Sequence, residues 1–181
     1  MVLGLFKQRR DRIPFGLYGQ IVDQARHISF YRDYRIDDTV DGRFNTIALH
    51  ASLAFRRMRI MPEAGVALMQ EVFDIFMADM DRSLREMGVG DLSVPKKMKL
   101  VAEVFYGAAK AYDAAFEEGD DAFLAESLTR NVFGEQEGVN PQAPALARYV
   151  FATEMHLASI VDEVILEGRI SFPDPEQFLN P

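Results

Sequence analysis

Apolar residues recur at three- and four-residue intervals along most of the chain, and strand-like alternation is nearly absent. The pattern predicts an all-α, single-domain bundle of about six helices. The first run is Leu17, Tyr18, Ile21, Val22 and Ala25. It opens at Pro14, since a proline in a first helical turn gives up no hydrogen bond, and is expected to reach Tyr31. Residues 35–43 are polar and rich in capping types, so a loop is expected there before a second helix over Phe44, Ile47, Ala48, Ala51, Phe55 and Met58.

The longest stripe follows Pro62 and runs from Val66 through Met69, Val72, Phe76 and Met80 to Met87. It is expected to form the central helix, closed by Gly88 in the left-handed conformation. Ser93 is placed to cap a fourth helix, antiparallel to the third because the connection is short, with Met98, Val101, Val104, Phe105, Ala108, Tyr112 and Phe116 on one face. Gly107 inside it lowers helix propensity, which a close helix–helix approach would offset. Asp120 or Asp121 caps a shorter helix bearing Phe123, Leu124 and Leu128. After a Gly- and Pro-bearing stretch over 134–144, the last helix carries Leu146, Tyr149, Val150, Thr153, Leu157, Ile160, Val161 and Val164. The prolines at 173 and 175 keep the tail extended.

Composition narrows the picture. At 181 residues the chain fits one domain with a sizeable core, and no stretch has the run of apolar residues that a membrane span needs. Without cysteine, disulfides, thiolate metal sites and thiol nucleophiles are excluded. The first residues, Met1 to Asp11, place apolar residues before charges, the reverse of a secretory signal, so a cytoplasmic protein is expected, peripheral at the inner membrane if it meets lipid. Residues 1–60 hold 11 Lys or Arg against 6 Asp or Glu, whereas the remainder holds 9 against 22. This asymmetry predicts a basic arm over 1–14 joined to a helical domain over 15–181, with a basic face that favours anionic partners. The cluster Arg56, Arg57 and Arg59 is expected to lie on that face, where charge reversal would weaken binding and spare the fold.

Candidate chemistry is sparse. The Glu-x-x-His pairs of a di-metal bundle are missing. His27, His50 and His156 fall on three helices and leave open a metal-dependent enzyme, set against the commoner role of helical histidines as satisfied core or boundary residues. Gly88-Val89-Gly90 lacks the third glycine and the preceding strand of a phosphate loop. Asp79 and Asp81 point apart on a helix, cannot pair as acid and base, and are expected to face solvent. The lysines at 96, 97 and 99 lack the interleaved aromatics of a nucleic-acid reader, so DNA is not an expected partner. No metal, cofactor or enzymatic activity is expected. Four methionines on the third helix, Met69, Met77, Met80 and Met87, suit either a core or an adaptable binding face.

An ordered series of motifs adds a family. Leu17-Tyr18-Gly19, Gln24-Ala25-Arg26, Phe30-Tyr31, the run from Asp37 to Phe44, and Leu49-His50 are followed by Asp79-Met80-Asp81, Leu84 to Asp91, Val94 to Lys99, Phe105-Tyr106-Gly107, Ala111-Tyr112 and Arg130-Asn131. Over roughly residues 15–165 this series resembles the ubiquinol-cytochrome c chaperone family. The resemblance implies a non-enzymatic chaperone in the assembly of ubiquinol:cytochrome c reductase, respiratory complex III. Its implied client is newly made cytochrome b, with a second assembly factor and the ribosome as further partners; a transient contact with the membrane surface is expected from the basic charge instead. Lacking the long N-terminal extension of mitochondrial members, the chain looks like a bacterial-type member. Candidate partner-binding residues are Tyr18, Tyr31, Arg43, His50, Arg56, Arg57, Arg59, Asp91, Lys96, Lys97 and Arg130. Arg43 and Asp91 could instead belong to a buried ion pair that sets helix register. A separate reading is a lipid-binding module in which Leu3, Leu5 and Phe6 insert while Lys7, Arg9 and Arg10 meet headgroups.

Overall fold

The computed structural model describes residues 12–180. The lipid-inserting Leu3, Leu5 and Phe6, with Lys7, Arg9 and Arg10, lie outside these residues, as does most of the basic arm; Pro14, assigned to that arm, is already in the first helix. Among the described residues the chain is all-helical and forms one domain of eight α-helices: α1 (Ile13–Ala25), α2 (Ile28–Arg32), α3 (Val40–Arg59), α4 (Glu63–Glu86), α5 (Val94–Glu118), α6 (Asp121–Asn131), α7 (Ala143–Ser159) and α8 (Asp162–Leu166). A 3-10 turn, Pro175–Phe178, follows in the tail.

Two interruptions explain why six expected helices become eight. The first falls at His27, whose backbone is extended (ψ 130°) and whose Nδ1 accepts from the Ser29 amide at 3.4 Å, starting α2 in a new direction. The Tyr31 hydroxyl then donates to the Ala25 carbonyl at 3.0 Å, satisfying an oxygen that the broken helix leaves open. The second falls at Ile160, also extended, between α7 and α8. Periodicity cannot register such breaks, because the apolar stripe continues through them.

Local signals elsewhere place the ends. Thr39 caps α3 by accepting from the Gly42 amide at 3.1 Å, so that helix begins four residues before Phe44. Gly42 lies under the Asp37 carbonyl, where a Cβ would stand 2.0 Å from that oxygen. Gly88, at φ 83°, ends α4 in a Schellman motif: its amide bonds the Arg85 carbonyl and the Val89 amide bonds that of Leu84. Asp120 caps α6 through the Phe123 amide at 2.9 Å. Ser93 starts α5 without a side-chain cap.

The central helix is α3, not the longer methionine-bearing α4. Every residue from Thr46 to Phe55 is buried, and α1, α4, α5 and α7 all pack against it. A helix surrounded on all sides needs apolar or self-satisfied residues at every position, and Thr46 and Ser52 comply by donating to the Gly42 and Leu49 carbonyls at 2.7 Å each. By contrast α4 buries one stripe, Gly65, Leu68, Val72, Phe76 and Met80. Gly107 is not a close-approach site, since a Cβ there would meet nothing within 4 Å.

Candidate functional site

The α4–α5 hairpin covers the rest of the bundle incompletely and leaves an open apolar groove of about 500 Å³. Its floor comes from Val40, Phe44 and Ile47 of α3. Met80, Leu84 and Met87 of α4 form one wall, and Leu100, Val101 and Val104 of α5 the other. The i,i+3 and i,i+4 spacing within each set puts it on one helix face, so each helix presents a stripe rather than a scatter. Val40, Met87, Leu100 and Val104 are 54%, 50%, 58% and 42% exposed. Isolated exposed apolar residues need no explanation, but several converging on one concavity mark a binding surface.

Two of the four charged residues on the rim, Arg43 and Asp79, are engaged, while Arg26 and Asp41 form no ion pair among the described residues. Arg43 pairs with Asp38 at 2.6 Å, and the Asp79 carboxylate accepts from the Tyr18 hydroxyl at 2.8 Å. Burial, and secondarily that contact with Asp79, raises the Tyr18 pKa, so its hydroxyl stays a donor. The surface of the groove is chiefly apolar because nine of its lining side chains are Val, Phe, Ile, Met or Leu. Asp79 is half-buried in this bond rather than solvent-facing as the sequence suggested.

A profile of the ubiquinol-cytochrome C chaperone family matches residues 32–172, well over half of the chain. The chain belongs to that family. Ubiquinol-cytochrome-c reductase complex assembly factor 1 of Xenopus laevis is 24% identical over 171 residues, spanning 91% of this chain and 85% of that protein. The mitochondrial protein CBP3 of Saccharomyces cerevisiae is 29% identical over 150 residues, 81% of this chain but 44% of its own length. The human assembly factor 1 is 25% identical over 171 residues, and this chain spans 57% of it. The ubiquinol-cytochrome C chaperone domain here thus corresponds to about half of the yeast and human relatives. A crystal structure of the Cbp3 homolog from Brucella abortus superposes with a TM-score of 0.89 at 40% identity, covering 98% of this chain and 99% of that one. The fold described above is that of the family.

The family motif residues divide on this fold. Of the eleven candidate partner-binding residues, one, Arg43, lines the groove. Its expected buried ion pair with Asp91 does not form: Arg43 bonds Asp38, Asp91 bonds Arg85, and all four side chains are exposed by a third or more. His50 is fully buried and offers no surface to a partner. Its Nδ1–H donates to the Thr46 carbonyl and its Nε2 accepts from the Tyr149 hydroxyl, each at 2.8 Å. Burial pushes its pKa down to about 4. Tyr18 is also buried, and the Tyr31 hydroxyl is spent on the α1–α2 break. Lys96, Lys97 and Arg130 are exposed, the last 3.9 Å from Glu126.

The expected basic face at Arg56, Arg57 and Arg59 is neutralised by the acidic body. Arg56 contacts Asp113 at 2.7 Å and Glu154 at 3.4 Å and stacks over Phe116, while Arg59 takes the other Asp113 oxygen at 2.8 Å. Arg57, 9% exposed, donates to the Leu157 and Ile160 carbonyls at 3.1 and 2.7 Å and pairs with Asp162 at 2.5 Å. It thereby satisfies the Ile160 carbonyl, left open where α7 ends, and adds a second donor to the Leu157 carbonyl, which also accepts from the Ile160 amide at 3.2 Å. Among the described residues no group of three His, Asp or Glu is placed to hold a metal ion. His27 caps a helix, His50 is in the core, and His156 bonds Ser171 at 2.9 Å.

The groove residues Leu84 and Leu100 were absent from the site reading because an apolar residue on a helix reads as core. A signal was available at Leu100, which stands one position off the buried stripe of α5 and has no core to enter.

Proposed function

We propose that this protein is a non-enzymatic assembly chaperone for ubiquinol:cytochrome c reductase that holds an apolar segment of cytochrome b in the groove between α3, α4 and α5. The observation that carries the reading is the open apolar concavity of about 500 Å³, lined from three helices, on a chain of this family. The assembly-factor names of the frog and human relatives support the complex, and the apolar floor suits a client whose own surface belongs in lipid. Met80 and Met87, unbranched and polarizable, give the α4 wall the adaptability that a chaperone of unfinished chains needs. Binding would shield the client from aggregation until its partner subunits cover it.

The test is a deletion strain grown where complex III is required. Cytochrome b absorbance in membranes should fall, and the wild-type gene should restore it. Leu100→Glu and Val104→Glu, at positions exposed enough to leave stability within about 0.5 kcal/mol, should fold but fail to restore it. Unchanged cytochrome b in the deletion strain would sink the client assignment.

A further inference from the structure

Leu92 is 99% exposed, at the apex of the turn between α4 and α5. Backbone hydrogen bonds and one buried side chain define the turn. The Ser93 and Val94 amides both bond the Gly90 carbonyl, at 2.8 and 3.2 Å, and Val94 is 1% exposed and anchors the start of α5. Leu92 contributes no burial to folding, and it is not alone at this end of the hairpin. The helix ends that the turn joins carry Met87 and Leu100, half-exposed or more.

The net charge around the apex is positive. Residues 85–99 hold four basic side chains against two acidic ones, in a chain whose net charge is -8. Asp91, beside Leu92, is paired with Arg85, which also binds Asp81. Lys99 lies 3.7 Å from Glu103, while Lys96 and Lys97 are exposed and form no ion pair among the described residues.

We propose that the α4–α5 turn is a membrane-surface contact, in which Leu92 enters the interface of an anionic bilayer while Lys96 and Lys97 meet its headgroups. A single apolar side chain on a convex apex matches a fluid bilayer, which closes around it. A protein partner would need a complementary pocket and a far larger matched area. One leucine and two lysines give a weak, reversible contact, since stable anchoring takes more than one such signal. Among the described residues no helix is long and apolar enough to cross a membrane, and the contact proposed is with its surface. Docked this way, the turn brings Met87 and Leu100, and with them the mouth of the groove, to the lipid boundary.

The experiment is co-sedimentation of the full chain with vesicles of phosphatidylcholine alone or containing phosphatidylglycerol, at low and high salt. Binding is expected to the anionic vesicles at low salt and to fall with salt, because screening weakens exposed charges. Leu92→Glu should lower the partition roughly tenfold. Lys96→Glu with Lys97→Glu should lower it roughly twentyfold, each lysine near an anionic surface being worth about fivefold. All of these variants should keep the wild-type melting curve, because the replaced side chains are exposed. Failure of the wild type to bind anionic vesicles overturns the proposal, as does binding that persists in either variant. Loss of cytochrome b capture by Leu92→Glu with unchanged vesicle binding would also overturn it, and make the turn a protein contact. The vesicle result does not depend on the client, so normal cytochrome b in the deletion strain would leave it standing.

Discussion

Two halves of the molecule treat their aromatic and apolar residues in opposite ways. On one side α1, α2, α3 and α7 enclose Phe30, Tyr34, His50 and Tyr149, with Phe30 meeting His50 and Tyr149 edge-on at centroid distances of 5.0 and 5.2 Å. The tail crosses this cluster and seals it. Phe172 packs on His50 and Phe178 on Tyr149, and Gln20 bonds both the Gly168 carbonyl and the Ile170 amide at 2.9 Å. Gln24 reaches the Pro173 carbonyl, Tyr34 that of Pro175 and Arg148 that of Phe178. On the other side the α4–α5 hairpin packs Phe76 against Phe105, tilted at 47° with centroids 5.2 Å apart, and then leaves Met87, Leu92, Leu100 and Val104 in the open. The sealed half spends hydrogen bonds to exclude water; the open half leaves apolar area uncovered. Stability should therefore reside in the first and binding in the second.

The largest effect that tests this contrast is at Arg57. Replacing it with Glu leaves the Ile160 carbonyl without a donor, removes one of the two donors to the Leu157 carbonyl and sets a carboxylate against Asp162, and should cost about 3 kcal/mol or more of unfolding free energy. Lys96→Glu on the open half should stay within about 0.5 kcal/mol. Urea denaturation of both variants checks the pair, and equal midpoints would dissolve the division. The sequence-based expectation that the fold tolerates charge reversal across Arg56, Arg57 and Arg59 is thereby replaced.

His50 gives the sealed half a pH signature. It stays neutral in the native state down to about pH 4, whereas unfolded it protonates near its ordinary value of 6.5. The unfolded chain then binds more protons, so this contribution is fully present above pH 6.5 and is lost as pH falls toward 4, to a total of about 3 kcal/mol. Urea midpoints measured from pH 7.5 to 4.5 should fall in the wild type and follow a shallower slope in His50→Gln. Parallel slopes would remove His50 as the cause.

A smaller loss is expected at the strap. Tyr34→Phe removes the donor to the buried Pro175 carbonyl, 2.8 Å away, and should lower stability by about 1–2 kcal/mol. Smallest, and opposite in sign, is Gly107→Ala on exposed α5, which should raise the melting temperature by gaining about 0.5–1 kcal/mol of helix propensity, since nothing stands within 4 Å of the new methyl group. A destabilised Gly107→Ala would reveal a constraint on α5 that these contacts do not contain.

Much of this molecule was legible along the chain. The helical class, the ends marked by Pro14, Gly88 and Asp120, and the family series all depend on residues near one another in sequence, where local sterics and capping act. The groove was only half legible, because Met80, Leu84 and Val101 read as core whether or not a partner helix covers them. The turn at 88–91 could be read, but not that Leu92 beyond it would find nothing to pack on.

By itself, then, the sequence determined an all-α domain of this chaperone family, with its stripes, caps and turns. Tertiary structure alone decided that α3 rather than α4 is central, that His50 is a core hydrogen-bonding residue, and that Arg56, Arg57 and Arg59 do not form a free basic face. The physical reason is the range of the forces. Periodicity and capping act over a few residues, but the partners of Arg56, Arg57 and Arg59 are Asp113, Glu154 and Asp162, more than fifty residues away. Only folding brings those charges within contact distance, where they neutralise one another, and only folding leaves one face of the α4–α5 hairpin uncovered.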